Sequence, residues 1–314
     1  MQQRYKVLIT GAAGFVGSYL TKYLVAQGHS VAAMVRNLGT ATRLKESFGQ
    51  VTLIENSLEQ SLQEKKALSE FCPDIVYHLA WEGVDKNDRE GSSHDKNFSN
   101  TLNLLRLIKE FGCQSFVGLG SQAEYGSSST ALNETSNTNP QSLYGKSKLE
   151  TFKSSRDLAQ ELGIRFSWIR LFSAYGYSDH ENALIPFVIK KLLANESPSL
   201  TFGEQLWDFV YIQDAVKAIA AVGMKADASG VFNLGSGDAV SIRDTLEILK
   251  NIIKTKVELG FGKIPYSPQQ TMHLEADISR IKSMTGWKPE TTLHDGLTET
   301  VAEYQKYGLE SICA

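Results

Sequence analysis

Nowhere in these 314 residues does an apolar run reach the length that spans a bilayer, and the opening residues lack the apolar stretch of a signal peptide. A membrane helix and an exported chain are therefore not expected; a cytoplasmic location is. Basic runs are missing as well. The net charge is −3, which argues against nucleic acid or an anionic membrane as the main partner. Cysteine is scarce: Cys72, Cys113 and Cys313 are odd in number and scattered, which fits reduced thiols rather than a disulfide framework. Six histidines (29, 78, 94, 180, 273, 294) show no HxxxH or clustered-ligand spacing, so no metal site is expected. No internal repeat, low-complexity tract or flexible interdomain linker interrupts the chain. What remains, with 42% hydrophobic and 21% charged residues, has the composition of a soluble globular protein. Its length allows a large core and suggests one two-lobed unit.

Residues 4–17, RYKVLITGAAGFVG, organise the rest. Tyr5, Val7, Leu8 and Ile9 make a short β-rich run that ends at Thr10 in a glycine turn. Leu20, Tyr23, Leu24 and Val25 then recur at helical spacing over 19–27, and Gly28 closes the segment. Strand, glycine turn and helix open a nucleotide-binding βαβ unit. Gly11 permits the tight turn, a side chain at Gly14 would block a pyrophosphate, and Gly17 lets helix and strand pack closely. The first-turn N–H groups, around Phe15 and Val16, then face an anion with the positive end of the helix dipole.

A second strand, 31–35, ends at Arg36, where an NAD-binding turn would place an acid for the adenosine ribose. A guanidinium at Arg36, with Arg43 further on, suits a 2′-phosphate; a solvated surface arginine is the alternative reading. The missing carboxylate weighs more than the arginine present, so NADP(H) is favoured over NAD(H). Further strands are expected at 51–54, 74–78, 115–119, 166–171 and 231–234. Helices are expected at 58–70, 97–111, 182–194, 214–224 and 241–254, the last capped by Ser241. The alternation is that of an α/β protein with a doubly wound parallel sheet. His78-Leu79-Ala80-Trp81 sits at a strand's carboxyl end, where Ala80 is small enough for a cofactor backbone to lie close. His78 by itself is more often a packed core histidine.

Ser121 follows the 115–119 strand, and Tyr144-Gly145-Lys146-Ser147-Lys148 starts a helix. Positions i and i+4 share a helix face, so Tyr144 and Lys148 point the same way. An ammonium beside a phenol favours the phenolate and brings its pKa down from about 10 toward the range useful for proton transfer. Ser121 could then hold the substrate oxygen that Tyr144 protonates.

TGAAGFVG, HLAW, GSQAEYG and YGKSK, in this order, resemble the extended short-chain dehydrogenase/reductases, within them the NDP-sugar epimerase/dehydratase/reductase group. The likeness runs from about Tyr5 to Tyr304. It implies a Rossmann cofactor domain over 1–174, to which 209–234 returns, and a smaller α/β substrate lobe, mainly 175–314. It implies Ser121, Tyr144 and Lys148 as the catalytic set, with Tyr144 and Lys148 also touching the cofactor. Asn97 matches an asparagine near the family's catalytic lysine. Thr10, Gly11, Gly14, Phe15, Val16, Gly17, Arg36, Ser57, Leu58, Leu79 and Ala80 are placed along the cofactor. Trp81, Gln122, Ser173 and Trp207 fall on the substrate side.

Departures from the family pattern narrow the function. The acidic pair of the 4,6-dehydratases is replaced by Gln122 and Ala123, neither of which can shuttle a proton, so dehydration is excluded. Ser57 stands where an aspartate near the adenine is common. Trp207 and Ser267 stand at two usual arginine positions of the diphosphate grip; Lys190 or Lys191 could replace the lost charge, or simply be solvated. Trp207 itself could stack on a base or sugar, or fill the core. The expected function is NADPH-dependent reduction of the 4-keto group of a nucleoside-diphosphate 4-keto-6-deoxyhexose, for a surface-polysaccharide deoxysugar. The alternatives are an NAD-dependent NDP-sugar 4-epimerase with no net redox, and a non-catalytic NAD(P)-binding sensor. The resemblance further implies a homodimer through the helices at 97–111 and 144–162, although their apolar positions would equally serve the sheet.

Overall fold

Lys6–Thr10 forms β1, buried from its second residue on, because Val7, Leu8 and Ile9 alternate between the two faces of a covered sheet. The computed structural model describes residues 3–56, 58, 65–84, 91 and 94–308; Ser57, Cys313 and most of the helix expected at 58–70 lie outside them. After β1 come α1 (Phe15–Ala26), β2 (Ser30–Val35), β3 (Thr52–Glu55), α2 (Lys65–Phe71), β4 (Ile75–His78) and α3 (His94–Glu110). They are followed by β5 (Ser115–Ser121), α4 (Leu143–Leu162), β6 (Arg165–Leu171), β7 (Ser173–Tyr175), α5 (Leu184–Leu193), β8 (Leu206–Tyr211), α6 (Ile212–Met224) and β9 (Gly230–Leu234). The chain continues through β10 (Ala239–Ser241), α7 (Ile242–Ile253), β11 (His273–Leu274), α8 (Ser279–Thr285) and α9 (Leu293–Tyr307).

Seven parallel strands make the main sheet in the order β3-β2-β1-β4-β5-β6-β9. Strand order reverses between β1 and β4, which opens a crevice at their carboxyl ends. The sheet is covered on both sides. Val7 and Ile9 pack toward Leu20 and Leu24 of α1 and Ile212 and Ile219 of α6. Leu8 and Val76 pack toward Leu104 and Ile108 of α3 and Phe152 of α4. These apolar positions of α3 and α4 thus face the sheet, as a doubly wound fold requires. A smaller sheet, β10-β8-β11 with β7 on β8, stands beyond the end of β6.

Two helix ends position later chemistry. α1 begins at Phe15, four residues before the onset its apolar spacing predicts, since the glycine turn delivers the chain directly into helical geometry. α4 begins under a Ser142 cap whose hydroxyl accepts from the Gly145 N–H at 3.1 Å, and ends at Gly163 in the left-handed region. Ser241 caps α7 as expected, accepting from Asp244. In the turn after β1, Gly11 has φ +70, and a Cβ there would lie 2.6 Å from the Ala80 nitrogen. The turn therefore nests against the chain leaving β4, an approach only glycine permits.

Candidate active site

The crevice at the β1/β4 switch starts with an open helix end. α1 has Gly14 at its cap position, no side chain capping it and no acid in its first turn. A Cβ at Gly14 would lie 3.2 Å from the Gly11 carbonyl oxygen, tight but short of a collision with the protein itself. Packing within the protein therefore sets no absolute need for glycine at this exposed spot. At Gly17 the need is internal, because a Cβ would collide with the Gly11 carbonyl rather than with the strand that the sequence suggests. Phe15 and Val16 are half-buried in the same first turn, and the Phe15 ring lies beside Gly176.

The Thr10 side chain faces inward. Its hydroxyl is fully buried, 2.7 Å from His78 Nδ1 and 3.4 Å from the Ala80 N–H. The other imidazole nitrogen, Nε2, is 2.9 Å from the Thr101 hydroxyl, which itself donates to the Asn97 carbonyl. That chain of donors assigns the proton to Nε2 and makes Nδ1 the acceptor. Burial, with Lys148 nearby, pushes the His78 pKa down to about 3. The histidine is a neutral strut under the crevice, the core reading of the residue. Because its folded pKa lies below its unfolded value, the unfolded chain takes up the proton first, and stability drains as pH falls below about 6.5. Between about pH 7 and pH 4.5 the advantage of the wild type over His78→Gln should shrink by roughly 2 kcal/mol, read from urea unfolding.

Leu79, Ala80 and Trp81 leave β4 along the crevice, and Asn97 holds the next residue. Its Oδ1 accepts from the Glu82 N–H at 2.9 Å and its Nδ2 donates to the Glu82 carbonyl at 2.8 Å. Asn97 acts on this loop, then, rather than through any bond to Lys148. Trp81 is turned inward. Lys148 Nζ lies 3.6 Å from the Trp81 ring centroid, and the Tyr144 ring meets the indole edge-on at 6.4 Å. The Trp81 Nε1 is buried without a partner among the described residues. A donor left in that state at the floor of a crevice fits an acceptor atom supplied by a ligand.

Ser121, Tyr144 and Lys148 come together at the carboxyl edge of the sheet. Ser121 ends β5, two residues beyond the expected strand end, and its Oγ accepts from the Ala123 N–H at 3.2 Å. Tyr144 and Lys148 lie on one face of α4, with Nζ 5.9 Å from the phenol ring centroid. His94, given no site role by the sequence, adds its ring 6.0 Å from that of Tyr144. The lysine is buried rather than hydrated. It is 4% exposed and donates to the Leu119 carbonyl at 2.7 Å. Burial pushes its pKa down to about 7, against a partial upward pull from Glu124. A lysine so poised can carry or lose its charge near neutral pH.

Sequence reasoning missed what lies beneath this edge. Glu124, fully buried, accepts from the Ser121 N–H at 2.9 Å, Trp168 Nε1 at 2.9 Å and Arg170 Nε at 2.7 Å. Ser121 and Glu124 thereby cap each other across the single turn Gln122–Glu124. The spacing S-x-x-E in GSQAEYG carries that signal; the distant partners Trp168 and Arg170 have none.

Residues expected along the ligand's periphery fare unevenly. Leu58 packs against the core on the α3 side. The Arg36 guanidinium pairs with Glu82 at 2.6 Å. The Arg43 Nε donates to the Ser178 hydroxyl and carbonyl at 2.9 and 3.0 Å, which anchors the guanidinium toward Ser178. Gln122 is half-buried beside Ser121. Trp207 and Ser173 do meet: the indole N–H donates to the Ser173 hydroxyl at 2.7 Å. The Trp207 ring also packs against a small core of Leu132, Phe172 and Leu274. Lys190 and Lys191 pair with Glu181 and Glu196 at an exposed helix end, and Ser267 is exposed, so none replaces the missing diphosphate cations.

An uncapped helix N-terminus, a glycine turn open toward it and an orphaned indole N–H fit a dinucleotide. Comparison with known proteins agrees. A UDP-glucuronate 4-epimerase of Thermodesulfobacterium geofontis is 29% identical, over 97% of both chains. A dTDP-4-dehydro-6-deoxyglucose reductase of Escherichia coli is 26% identical, over 94% of this chain and 96% of its own. Among solved structures, the UDP-N-acetylglucosamine 4-epimerase of Methanobrevibacter ruminantium M1 in complex with UDP-N-acetylmuramic acid superposes with a TM-score of 0.88. It is 25% identical, over 98% of this chain and all of its own. The model of the NAD dependent epimerase/dehydratase family matches residues 7–235, nearly three-quarters of the sequence, in the segment that carries the glycine turn, Ser121, Tyr144 and Lys148. The chain belongs to that family, as an NAD(P)-dependent sugar-nucleotide enzyme of the extended short-chain dehydrogenase/reductase class.

Proposed function

We propose that the chain inverts C4 of a nucleoside-diphosphate sugar, a 4-epimerisation with no net redox. The observation that carries this is the grouping of Ser121, Tyr144 and Lys148 at the mouth of the glycine-turn crevice, with Gln122 and Ala123 where an elimination would need acids. With a nicotinamide bound beside it, such a site suits proton and hydride exchange between an alcohol and a ketone. The near-full-length relatives named 4-epimerases favour inversion over the reduction expected from sequence. Bound at Gly11–Gly17 with its nicotinamide near Tyr144, the cofactor would supply a reversible hydride acceptor. Tyr144 Oη takes the proton of the sugar's C4 hydroxyl and returns it after the ring turns over. The Lys148 ammonium, fixed by the Leu119 carbonyl, favours the phenolate through that exchange. Ser121 Oγ donates to the C4 oxygen and holds it in line. Residues 1–174 with 209–234 hold the cofactor in this reading, and 175–314 mainly hold the sugar nucleotide; a homodimer through α3 and α4 is part of it, read by light scattering.

A second reading, NADPH-dependent reduction of a 4-keto-6-deoxyhexose, draws on the Escherichia coli reductase relative and on the missing acid at the end of β2. One experiment separates the two. Incubated with UDP-glucose, UDP-glucuronate or UDP-N-acetylglucosamine, the purified chain should give the C4 epimer by proton NMR without a change in NADH absorbance. Stoichiometric NADPH oxidation with a 4-keto-6-deoxy sugar nucleotide, and no epimer from any UDP-sugar, would reverse the order.

A further inference from the structure

In a dinucleotide fold the residue closing the second strand decides what the adenosine ribose may carry: an acid takes the 2′-hydroxyl, an arginine a 2′-phosphate. Here β2 closes on Val35, and Arg36 follows. Its guanidinium is already engaged, donating to Glu82 Oε1 at 2.6 Å. Glu82 lies four residues past β4, and β1 runs between β2 and β4, so the pair reaches across the end of the strand that carries the glycine turn. Both side chains are largely exposed, at 74% and 43%, so the pair adds little to stability and a ligand can exchange with it. The backbone that carries Glu82 is held in place, however. Asn97, 7% exposed, spends both ends of its amide on the Glu82 backbone.

We propose that Glu82 selects the cofactor: its carboxylate supplies the acid that the end of β2 lacks, taking the ribose hydroxyl and barring a 2′-phosphate from Arg36. This rests on the reading of the glycine turn as a dinucleotide site. A phosphate at Arg36 must displace the carboxylate and then sit beside it as a like charge. A ribose hydroxyl can donate to Glu82 while Arg36 stays neutralised. The chain then takes NAD(H) in spite of its arginine.

The test is binding, with no turnover involved. The nucleotide-free chain is titrated with NADH and with NADPH by calorimetry, its fold checked by circular dichroism. The wild type should bind NADH at least as tightly as NADPH. Glu82→Gln should tighten NADPH by about tenfold and weaken NADH by about threefold. With Arg36→Ala added to Glu82→Gln, NADPH should bind at least about tenfold more weakly than to Glu82→Gln alone, because the phosphate has lost its partner. A ratio of the two affinities unmoved by Glu82→Gln overturns the inference while leaving the dinucleotide site in place. A wild type that binds neither nucleotide overturns both.

Discussion

Replacing Tyr144 by phenylalanine should lower turnover by about a hundredfold to ten-thousandfold, the usual contribution of a positioned proton donor. The fold and the affinity for NADH should stay within about twofold of the wild type. The geometry argues for that separation. Tyr144 is 6% exposed and meets Trp81 and His94 through its ring, contacts that a phenylalanine keeps. The cap of its helix is made by the Ser142 hydroxyl and the Gly145 N–H, neither of which the substitution alters. Lys148→Met makes a poorer probe, because it strips the Leu119 carbonyl of its donor and the Trp81 face of its cation, mixing packing with chemistry. Turnover and NADH binding measured side by side check the assignment. A Tyr144→Phe enzyme keeping more than about a tenth of wild-type activity would remove the phenol from the reaction.

What was legible in the sequence was local. The β1–turn–α1 unit shows in 4–17 because strand, glycine turn and helix obey rules that act within a few residues. Tyr144 and Lys148 could be placed on one face from spacing alone. Strands β7, β10 and β11 were not foreseen: each has two or three residues and exists through its pairing with β8, which leaves no period to read. The same holds for the site's charges. Arg36 and Glu82 lie 46 residues apart, as do Glu124 and Arg170, so a free guanidinium at Arg36 was a fair expectation that only tertiary structure could correct. The FVGLGS strand held one clue. Glycines inside a covered strand mark a close approach, and a Cβ at Gly118 or Gly120 would collide with the Trp168 ring that bonds to Glu124.

Glu124→Gln should cost about 3–5 kcal/mol of stability, as breaking one partner of a buried ion pair does. The melting temperature should fall on the order of 10 °C. The glutamine keeps an oxygen for the Ser121 N–H and for Trp168, so those two bonds survive. What fails is the third, because an amide N–H now faces the Arg170 guanidinium, which is 2% exposed. The Tyr125 and Phe152 rings, 4.3 and 5.5 Å from the guanidinium, offer π faces but no counter-charge. Removing that stranded charge should therefore restore stability: Glu124→Gln combined with Arg170→Met should be more stable than Glu124→Gln alone by about 2 kcal/mol or more. Urea unfolding of the wild type, the two single variants and the double variant closes the cycle. If the second substitution recovers nothing, the loss lies in the Ser121 cap rather than in the ion pair. Turnover then tells whether that cap matters to chemistry, since Ser121 ends β5 in the orientation that Glu124 holds by its N–H. A double variant that regains stability yet stays slow would place Glu124 as a positioning residue for the serine; one that regains both would make the pair purely structural.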